Sequence, residues 1–106
     1  NGVIPRKELY EAWETAIRID KQFPEISRVA DLAAGNGMLG WVLLLLDKSG
    51  NRHVVAVDIR PPPSAALLAA AMLQAYPHLA GRHRRVAGDL RGVRVRPGDL
   101  VVALHA

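Results

Sequence analysis

A glycine-rich turn between two apolar segments constrains the fold of this chain more than any other feature. Residues 28–34 form a short apolar stretch, and Gly35, Gly37 and Gly40 follow it in the spacing GxGxxG. Glycine adopts the positive φ of a tight turn and lets a ligand approach the backbone closely. We therefore predict a strand over 28–34, a ligand-binding turn and a helix over 38–47.

Helix and strand patterns alternate along the whole chain. The predicted elements are helices over 5–22, 38–47 and 65–76 and strands over 28–34, 53–57, 84–87 and 100–104. Ser64 is the expected cap of the third helix, and β-branched residues dominate the second strand. The alternation predicts an α/β fold, a Rossmann-like parallel sheet with flanking helices, in which the four strands are part of a larger sheet. Ligands of such folds bind at the carboxyl ends of the strands.

Composition excludes several kinds of protein. Half of the 106 residues are apolar and 23% are charged, as in folded domains. The chain has no cysteine and its four histidines lack ligand-like spacing, so we expect neither disulfides nor a metal site. The longest apolar run, 41–46, is far shorter than the roughly 20 residues that span a bilayer. With no signal-peptide pattern, we expect a cytoplasmic protein without membrane contact.

Positive charge is concentrated in the second half of the chain. Residues 1–59 carry seven basic and eight acidic side chains, whereas residues 60–106 carry seven arginines against Asp89 and Asp99. Such a bias can attract a nucleic acid or another anionic partner. Arginine-rich, lysine-poor composition is also what a genome rich in G and C produces, so both interpretations stay open.

Two aspartates near the glycine-rich turn indicate the kind of ligand. Asp58 ends the second strand, where a carboxylate can accept both hydroxyl protons of a ribose; alternatively, it caps a turn before the prolines. Asp31 lies four residues before Gly35. It would repel the pyrophosphate of a nicotinamide cofactor, but it would stabilise the ammonium and sulfonium groups of S-adenosylmethionine. Asp31 therefore favours S-adenosylmethionine.

A third aspartate ends the third predicted strand. Asp89 can accept a hydrogen bond from the amino group of an adenine, and the backbone N–H of Leu90 can donate to the ring. Because Asp89 follows Gly88, a role in a Gly-Asp turn is the alternative.

Four segments together resemble the motifs of a known enzyme family. The sequences VADLAAGNGMLG (29–40), VAVD (55–58), VAGD (86–89) and DLVVALHA (99–106) are similar, in order and spacing, to motifs one to four of class I S-adenosylmethionine-dependent methyltransferases. The segment VALHA (102–106) also resembles the Leu-His-Ala-Cys-Gly motif of a methyltransferase-like subgroup, although the Cys-Gly is absent.

The resemblance implies where the cofactor and the methyl acceptor bind. The expected S-adenosylmethionine-binding residues are Asp31, Ala33, Gly35, Asn36, Gly37, Asp58, Ile59, Asp89, Leu90 and Leu104. Residues 104–106 would face the transferred methyl group. His105 is a candidate general base, although a histidine at a strand end more often has a structural role. Methyl transfer depends mainly on alignment, so the sequence assigns no other catalytic residue.

The resemblance covers residues 28–106 and implies the N-terminal half of a methyltransferase domain. We expect 1–106 to be one partial domain, with 1–24 as its N-terminal helical segment, completed by the rest of the domain or by another chain. RNA is the expected acceptor on the arginine bias alone; a protein side chain or a small molecule stays open. Two alternatives remain: an NAD(P)-binding Rossmann oxidoreductase, against which Asp31 counts, and a non-catalytic nucleotide-binding or interaction module.

Overall fold

A four-stranded parallel sheet with helices packed against one face forms the centre of the molecule. The structure, a computed structural model, describes residues 6–32, 34–88 and 98–102. In chain order its elements are α1 (Arg6–Gln22), β1 (Arg28–Leu32), α2 (Met38–Leu46), β2 (His53–Asp58), α3 (Pro63–Ala75), a short 3₁₀ helix (Pro77–Leu79), β3 (His83–Ala87) and β4 (Leu100–Val102). Among the described residues, no helix is long and apolar enough to cross a bilayer.

The strand order creates a change of direction beside β1. The order across the sheet is β3-β2-β1-β4, and all three neighbouring pairs are parallel. The chain moves outward from β1 through β2 to β3 and then returns to the other side of β1. Ligands of open α/β sheets bind at such a point, outside the carboxyl ends of the strands. The predicted Rossmann-like sheet is thus confirmed.

The buried helix α2 anchors the layer of helices to the sheet. Its sequence MLGWVLLLL is apolar around the whole helix, because α2 packs on the strands on one side and against α1 on another. The core includes Ala16, Val29, Leu43, Leu44 and Val54, each at most 3% exposed. This packing fixes the position of the turn from which α2 begins.

One buried arginine, Arg52, links the ends of several elements. The side chain is 0% exposed, and its guanidinium donates hydrogen bonds to Asp20 Oδ1 at 2.9 Å and to three backbone carbonyl oxygens. These carbonyls belong to Pro24, Ile26 and Leu43, at 3.3, 2.9 and 2.9 Å. Because each terminal nitrogen and Nε has an acceptor, the buried charge is compensated. Arg52 therefore ties α1, the turn before β1 and the end of α2 to the start of β2.

Some element boundaries differ from the sequence predictions. β1 is described over Arg28–Leu32; of the two further residues in the predicted strand, residue 33 lies outside the described residues and Ala34 is not part of the strand. Ser64 is not the cap of α3: the helix begins at Pro63, and no side chain caps it. Proline fits the first helical position, where the missing N–H costs no hydrogen bond. The predicted last strand is described over Leu100–Val102, and its residues 103–104 lie outside the described residues.

Candidate cofactor-binding site

The carboxyl ends of β1, β2 and β3 meet at one edge of the sheet. Ala34, after β1, donates its N–H to the carbonyl oxygen of Val57 at 3.0 Å, and Gly88, after β3, donates to the carbonyl oxygen of Asp58 at 3.0 Å. Both bonds join the segments beyond the strands to the end of β2. The glycine turn (residues 34–37) and Asp58 therefore lie side by side.

The glycine turn has an open outer side at Gly35. Gly35 has a φ of 59° and Gly37 a φ of 88°, both in the left-handed region, and the Gly37 N–H donates to the Ala34 carbonyl oxygen at 3.0 Å. No described atom lies within 4 Å of the position that a Cβ would take at Gly35. The turn thus needs glycine for its backbone, and it leaves space in which a ligand can approach that backbone.

Asn36 forms an Asx turn that leads into α2, whose N-cap is Gly37. Its Oδ1 accepts a hydrogen bond from the N–H of Met38 at 2.9 Å, which satisfies one of the donors that the first helical turn leaves unpaired. The side-chain oxygen of Asn36 therefore has a structural role that explains an asparagine here without a ligand.

The other two glycines of the motif face the protein interior. A Cβ at Gly37 would lie 2.8 Å from Arg85 Nη2, and a Cβ at Gly40 would lie 2.7 Å from Val54 Cγ1. Gly40 therefore allows α2 to pack closely on β2, and Gly37 makes room for a guanidinium behind the turn. Because a side chain at Gly37 would meet β3, any contact of Gly37 with a cofactor is made by its backbone.

Asp58 holds the glycine turn against the end of β2. Its Oδ2 accepts a hydrogen bond from the N–H of Gly35 at 2.9 Å, and its Oδ1 accepts a long one from the N–H of Arg60 at 3.4 Å. A carboxylate offers about four lone-pair sites, so acceptor capacity remains for the hydroxyl groups of a ligand. Ile59, the next residue, is 72% exposed. The pair can hold a ribose by its hydroxyls and present an apolar surface beside it.

Two carboxylates and one guanidinium form a charged group at and behind the turn. Asp31 of β1 is only 2% exposed. Burial lowers the pKa of Arg85 in β3, while the carboxylates of Asp58 and Asp31 oppose that shift. Among the described residues, this group sets two carboxylates against one guanidinium, an arrangement that suits a cationic ligand.

His83 fills the space beneath α2 as an uncharged ring. It stacks on Trp41, with ring centroids 4.1 Å apart and planes at 4°. Burial, and next the positive charge of Arg85, lower the pKa of His83 to about 4, although the backbone of Gly37 opposes the shift. His83 therefore adds no charge to the site near pH 7.

The structure describes part of the predicted site. The residues that it describes are Asp31, Gly35, Asn36, Gly37, Asp58 and Ile59, and all of them lie at or near the carboxyl ends of β1 and β2. The predicted residues Ala33, Asp89, Leu90, Leu104 and His105 lie outside the described residues.

Sequence reasoning missed Arg85. The segment 84–87 indicates a strand, but a sequence pattern does not tell which of two adjacent arginines faces the helices. A signal exists once the register is known, because alternation along β3 places His83, Arg85 and Ala87 on one face.

Comparison with known proteins identifies the class of fold. Neither a protein-family model nor a curated protein sequence matches the chain. Among solved structures, the chain is similar to the glycopeptide N-methyltransferase MtfA complexed with sinefungin, at 24% identity and a TM-score of 0.63. It is also similar to a proposed RNA methyltransferase from Pyrococcus horikoshii, at 23% identity and a TM-score of 0.58. A third similar structure is the S-adenosylmethionine-dependent methyltransferase SibL, at 20% identity and a TM-score of 0.57.

These likenesses cover most of this chain but a smaller share of the other proteins. The matches to MtfA and to the Pyrococcus protein cover 87% of this chain and 36% and 42% of theirs, and the match to SibL covers 86% and 25%. The chain therefore has the class I fold of S-adenosylmethionine-dependent methyltransferases, and it spans under half the length of these solved structures.

Proposed function

We propose that this chain forms the S-adenosylmethionine-binding part of a methyltransferase. The observation that carries the proposal is the hydrogen bond from the Gly35 N–H to Asp58 Oδ2, at 2.9 Å. It holds a strand-end carboxylate beside a turn that is open at Gly35. A nucleoside with a charged amino-acid tail fits this pair, because its ribose hydroxyls can donate to Asp58 while the tail lies along the turn.

The charges around the turn support a cationic cofactor over a dinucleotide. Two carboxylates, Asp58 and Asp31, act on Arg85 among the described residues, so a pyrophosphate would approach negative side chains at this edge of the sheet. We further propose that Ala33, Asp89, Leu90 and Leu104 complete the site: Ala33 beside the methionine part, Asp89 and Leu90 around the adenine, and Leu104 near the methyl group.

The chemistry required of this chain is mainly alignment. When bound, S-adenosylmethionine supplies a methyl group already activated on a sulfonium. The residues of the chain bind the donor, orient it and exclude water from it. His105 is proposed to accept the proton that an acceptor loses or to orient that acceptor.

RNA is the proposed acceptor. Seven arginines against two aspartates in residues 60–106 give this half of the chain a positive charge that phosphates attract. The likeness to a proposed RNA methyltransferase from Pyrococcus horikoshii agrees with this choice. Incubation with labelled S-adenosylmethionine and either total RNA or a protein extract is the test. Label in the protein fraction alone would contradict an RNA acceptor.

Calorimetric titration tests the cofactor. We expect the chain to bind S-adenosylmethionine and S-adenosylhomocysteine and to show no heat with NAD⁺ or NADP⁺. Binding of a nicotinamide cofactor alone would replace the proposal with an oxidoreductase. Binding of S-adenosylmethionine without transfer to any acceptor would support a non-catalytic module.

A further inference from the structure

We propose that Arg85 limits how strongly the site prefers the cationic methyl donor over its uncharged product, an inference that rests on the S-adenosylmethionine function proposed above. S-adenosylmethionine carries a sulfonium, whereas S-adenosylhomocysteine carries a neutral thioether and has nearly the same shape. A positive charge behind the glycine turn therefore acts on one ligand much more than on the other.

The register of the sheet brings Arg85 level with Asp31. Asp31 pairs with Ala56 of β2, and Ala56 pairs with Arg85 of β3, so the three residues form one row on one face. Neighbouring strands lie roughly 4.8 Å apart, so the backbones of Asp31 and Arg85 are about 10 Å apart. Ala56 is 0% exposed and small. It leaves room for the long side chain of Arg85 on this face.

The guanidinium of Arg85 ends against the inner side of the turn. Nη2 lies 2.8 Å from the position of a Cβ at Gly37, and both terminal nitrogens are out of contact with solvent. Within residues 6–32, 34–88 and 98–102, neither nitrogen has a hydrogen-bond partner. Burial of a cation is costly and lowers the pKa of Arg85, and the carboxylates of Asp58 and Asp31 offset part of this cost. Arg85 thus acts through its charge and not through a hydrogen bond.

The positive charge of Arg85 changes how strongly the site attracts a sulfonium. The carboxylates of Asp58 and Asp31 would attract the positive sulfur, and the positive charge of Arg85 weakens that attraction. His83, which stacks on Trp41 beside Arg85, is uncharged near pH 7 and does not alter this balance. On transfer, the methyl group would bond to the acceptor and the electron pair of the broken bond would stay on sulfur, which would become an uncharged thioether. A site that holds the cation less tightly opposes this change less, so Arg85 favours transfer and balances donor and product binding.

The test is the ratio of two dissociation constants, measured by calorimetry on the full chain at low ionic strength. In Arg85→Met, the ratio of the S-adenosylhomocysteine constant to the S-adenosylmethionine constant should rise about threefold to tenfold, because the removed positive charge repels only the ligand that carries a sulfonium. Arg85→Lys, which keeps the charge, should leave the ratio within about twofold of the native value. Arg84→Met is the matched control, because Arg84 is exposed and lies on the opposite face of β3.

A change in the shape of the turn would weaken the binding of both ligands together. A change in the ratio of their dissociation constants therefore reports the charge. An unchanged ratio in Arg85→Met, with both ligands still bound, overturns the role of Arg85 and leaves the proposed cofactor intact. Failure of the native chain to bind either ligand overturns the proposed function itself. If Arg85→Met does not fold, Arg85→Gln is measured instead. If neither uncharged variant folds while Arg85→Lys does, the charge serves folding and the inference is wrong.

Discussion

Replacement of Asp58 tests the candidate site most directly, because this carboxylate has one structural task and one proposed ligand task. Its Oδ2 accepts the Gly35 N–H at 2.9 Å, in a part-buried position. Asp58→Ala removes this hydrogen bond and every acceptor for a ribose. Asp58→Asn keeps one side-chain oxygen for Gly35 but loses the negative charge and the second acceptor oxygen.

The two variants separate stability from affinity. Loss of the hydrogen bond from Gly35 should cost about 1 kcal/mol of unfolding free energy. Loss of two charge-assisted bonds to ribose hydroxyls should cost on the order of 2 to 4 kcal/mol of binding, or roughly 30-fold to 1,000-fold in Kd. Asp58→Ala should therefore lower both the melting temperature and the affinity. Asp58→Asn should lower the affinity but reduce the melting temperature less than Asp58→Ala does, because it keeps an oxygen for the Gly35 N–H although it removes a carboxylate that offsets the charge of Arg85.

The assay is calorimetric titration with S-adenosylmethionine, with the folded fraction of each variant taken from circular dichroism melting. Native affinity in the folded fraction of Asp58→Ala would refute the ribose role, and Asp58 would then be a residue that only holds the turn. Arg60→Ala is a suitable control, since its backbone N–H approaches Asp58 Oδ1 at 3.4 Å and survives the substitution.

Three further predictions concern the turn, the buried arginine and one acidic residue. Gly35→Val should lower the melting temperature, because valine is strained at the Gly35 φ of 59°, and should also weaken S-adenosylmethionine binding by the folded fraction about tenfold or more, because its branches would occupy open ligand space. Gly40→Val should lower the melting temperature without this loss of affinity, because its Cβ would meet Val54 at 2.7 Å; titration and melting of each variant distinguish the two effects. Arg52→Met should lower the free energy of unfolding, measured by urea denaturation, by about 3 to 5 kcal/mol, because it leaves the acceptors of the buried guanidinium without a donor. A loss under about 1 kcal/mol would contradict the view that these hydrogen bonds stabilise the fold. Although burial raises the pKa of Asp47, hydrogen bonds from the following turn bring it down from 3.8 to about 2. Asp47 should therefore stabilise the fold by about 2 kcal/mol above pH 4 and lose this contribution as the pH falls towards 2, and Asp47→Asn should remove that dependence in urea titrations at each pH.

The strands and the glycine turn could be predicted because their signals are local. The run VVAV in β2 needs only its own β-branched residues to indicate a buried strand, and GxGxxG needs only its spacing to indicate a turn. The position of Asp58 follows from the end of that strand. The role of its Oδ2 does not, because the partner N–H belongs to Gly35, 23 residues away.

The buried Arg52 and the half-buried Arg85 could not be predicted, because nothing in their own segments marks their guanidinium groups as enclosed. Arg52 ends the polar stretch KSGNR, which indicates an exposed turn, yet its guanidinium reaches acceptors up to 32 residues away in sequence. Arg85 stands beside Arg84, and only the register with β2 decides which one faces α2. A charged side chain is buried when several distant groups converge on it, and that convergence is a property of the fold.

The contacts at the two ends of β2 have different roles: those at the amino end stabilise the fold, and those at the carboxyl end form the proposed site. Arg52, just before the strand, donates hydrogen bonds to α1, to the turn before β1 and to α2 at the amino edge of the sheet. Asp58, at the other end of the strand, accepts a hydrogen bond from Gly35 of the glycine turn at the carboxyl edge. A strand rises about 3.3 Å per residue, so the two positions lie roughly 20 Å apart. Groups this far apart with no shared partner contribute almost independently. Contacts at the amino end of β2 therefore stabilise a buried charge, while the carboxyl end has an open turn and, in Asp58, a carboxylate that can accept further hydrogen bonds. These are the features that the proposed cofactor needs.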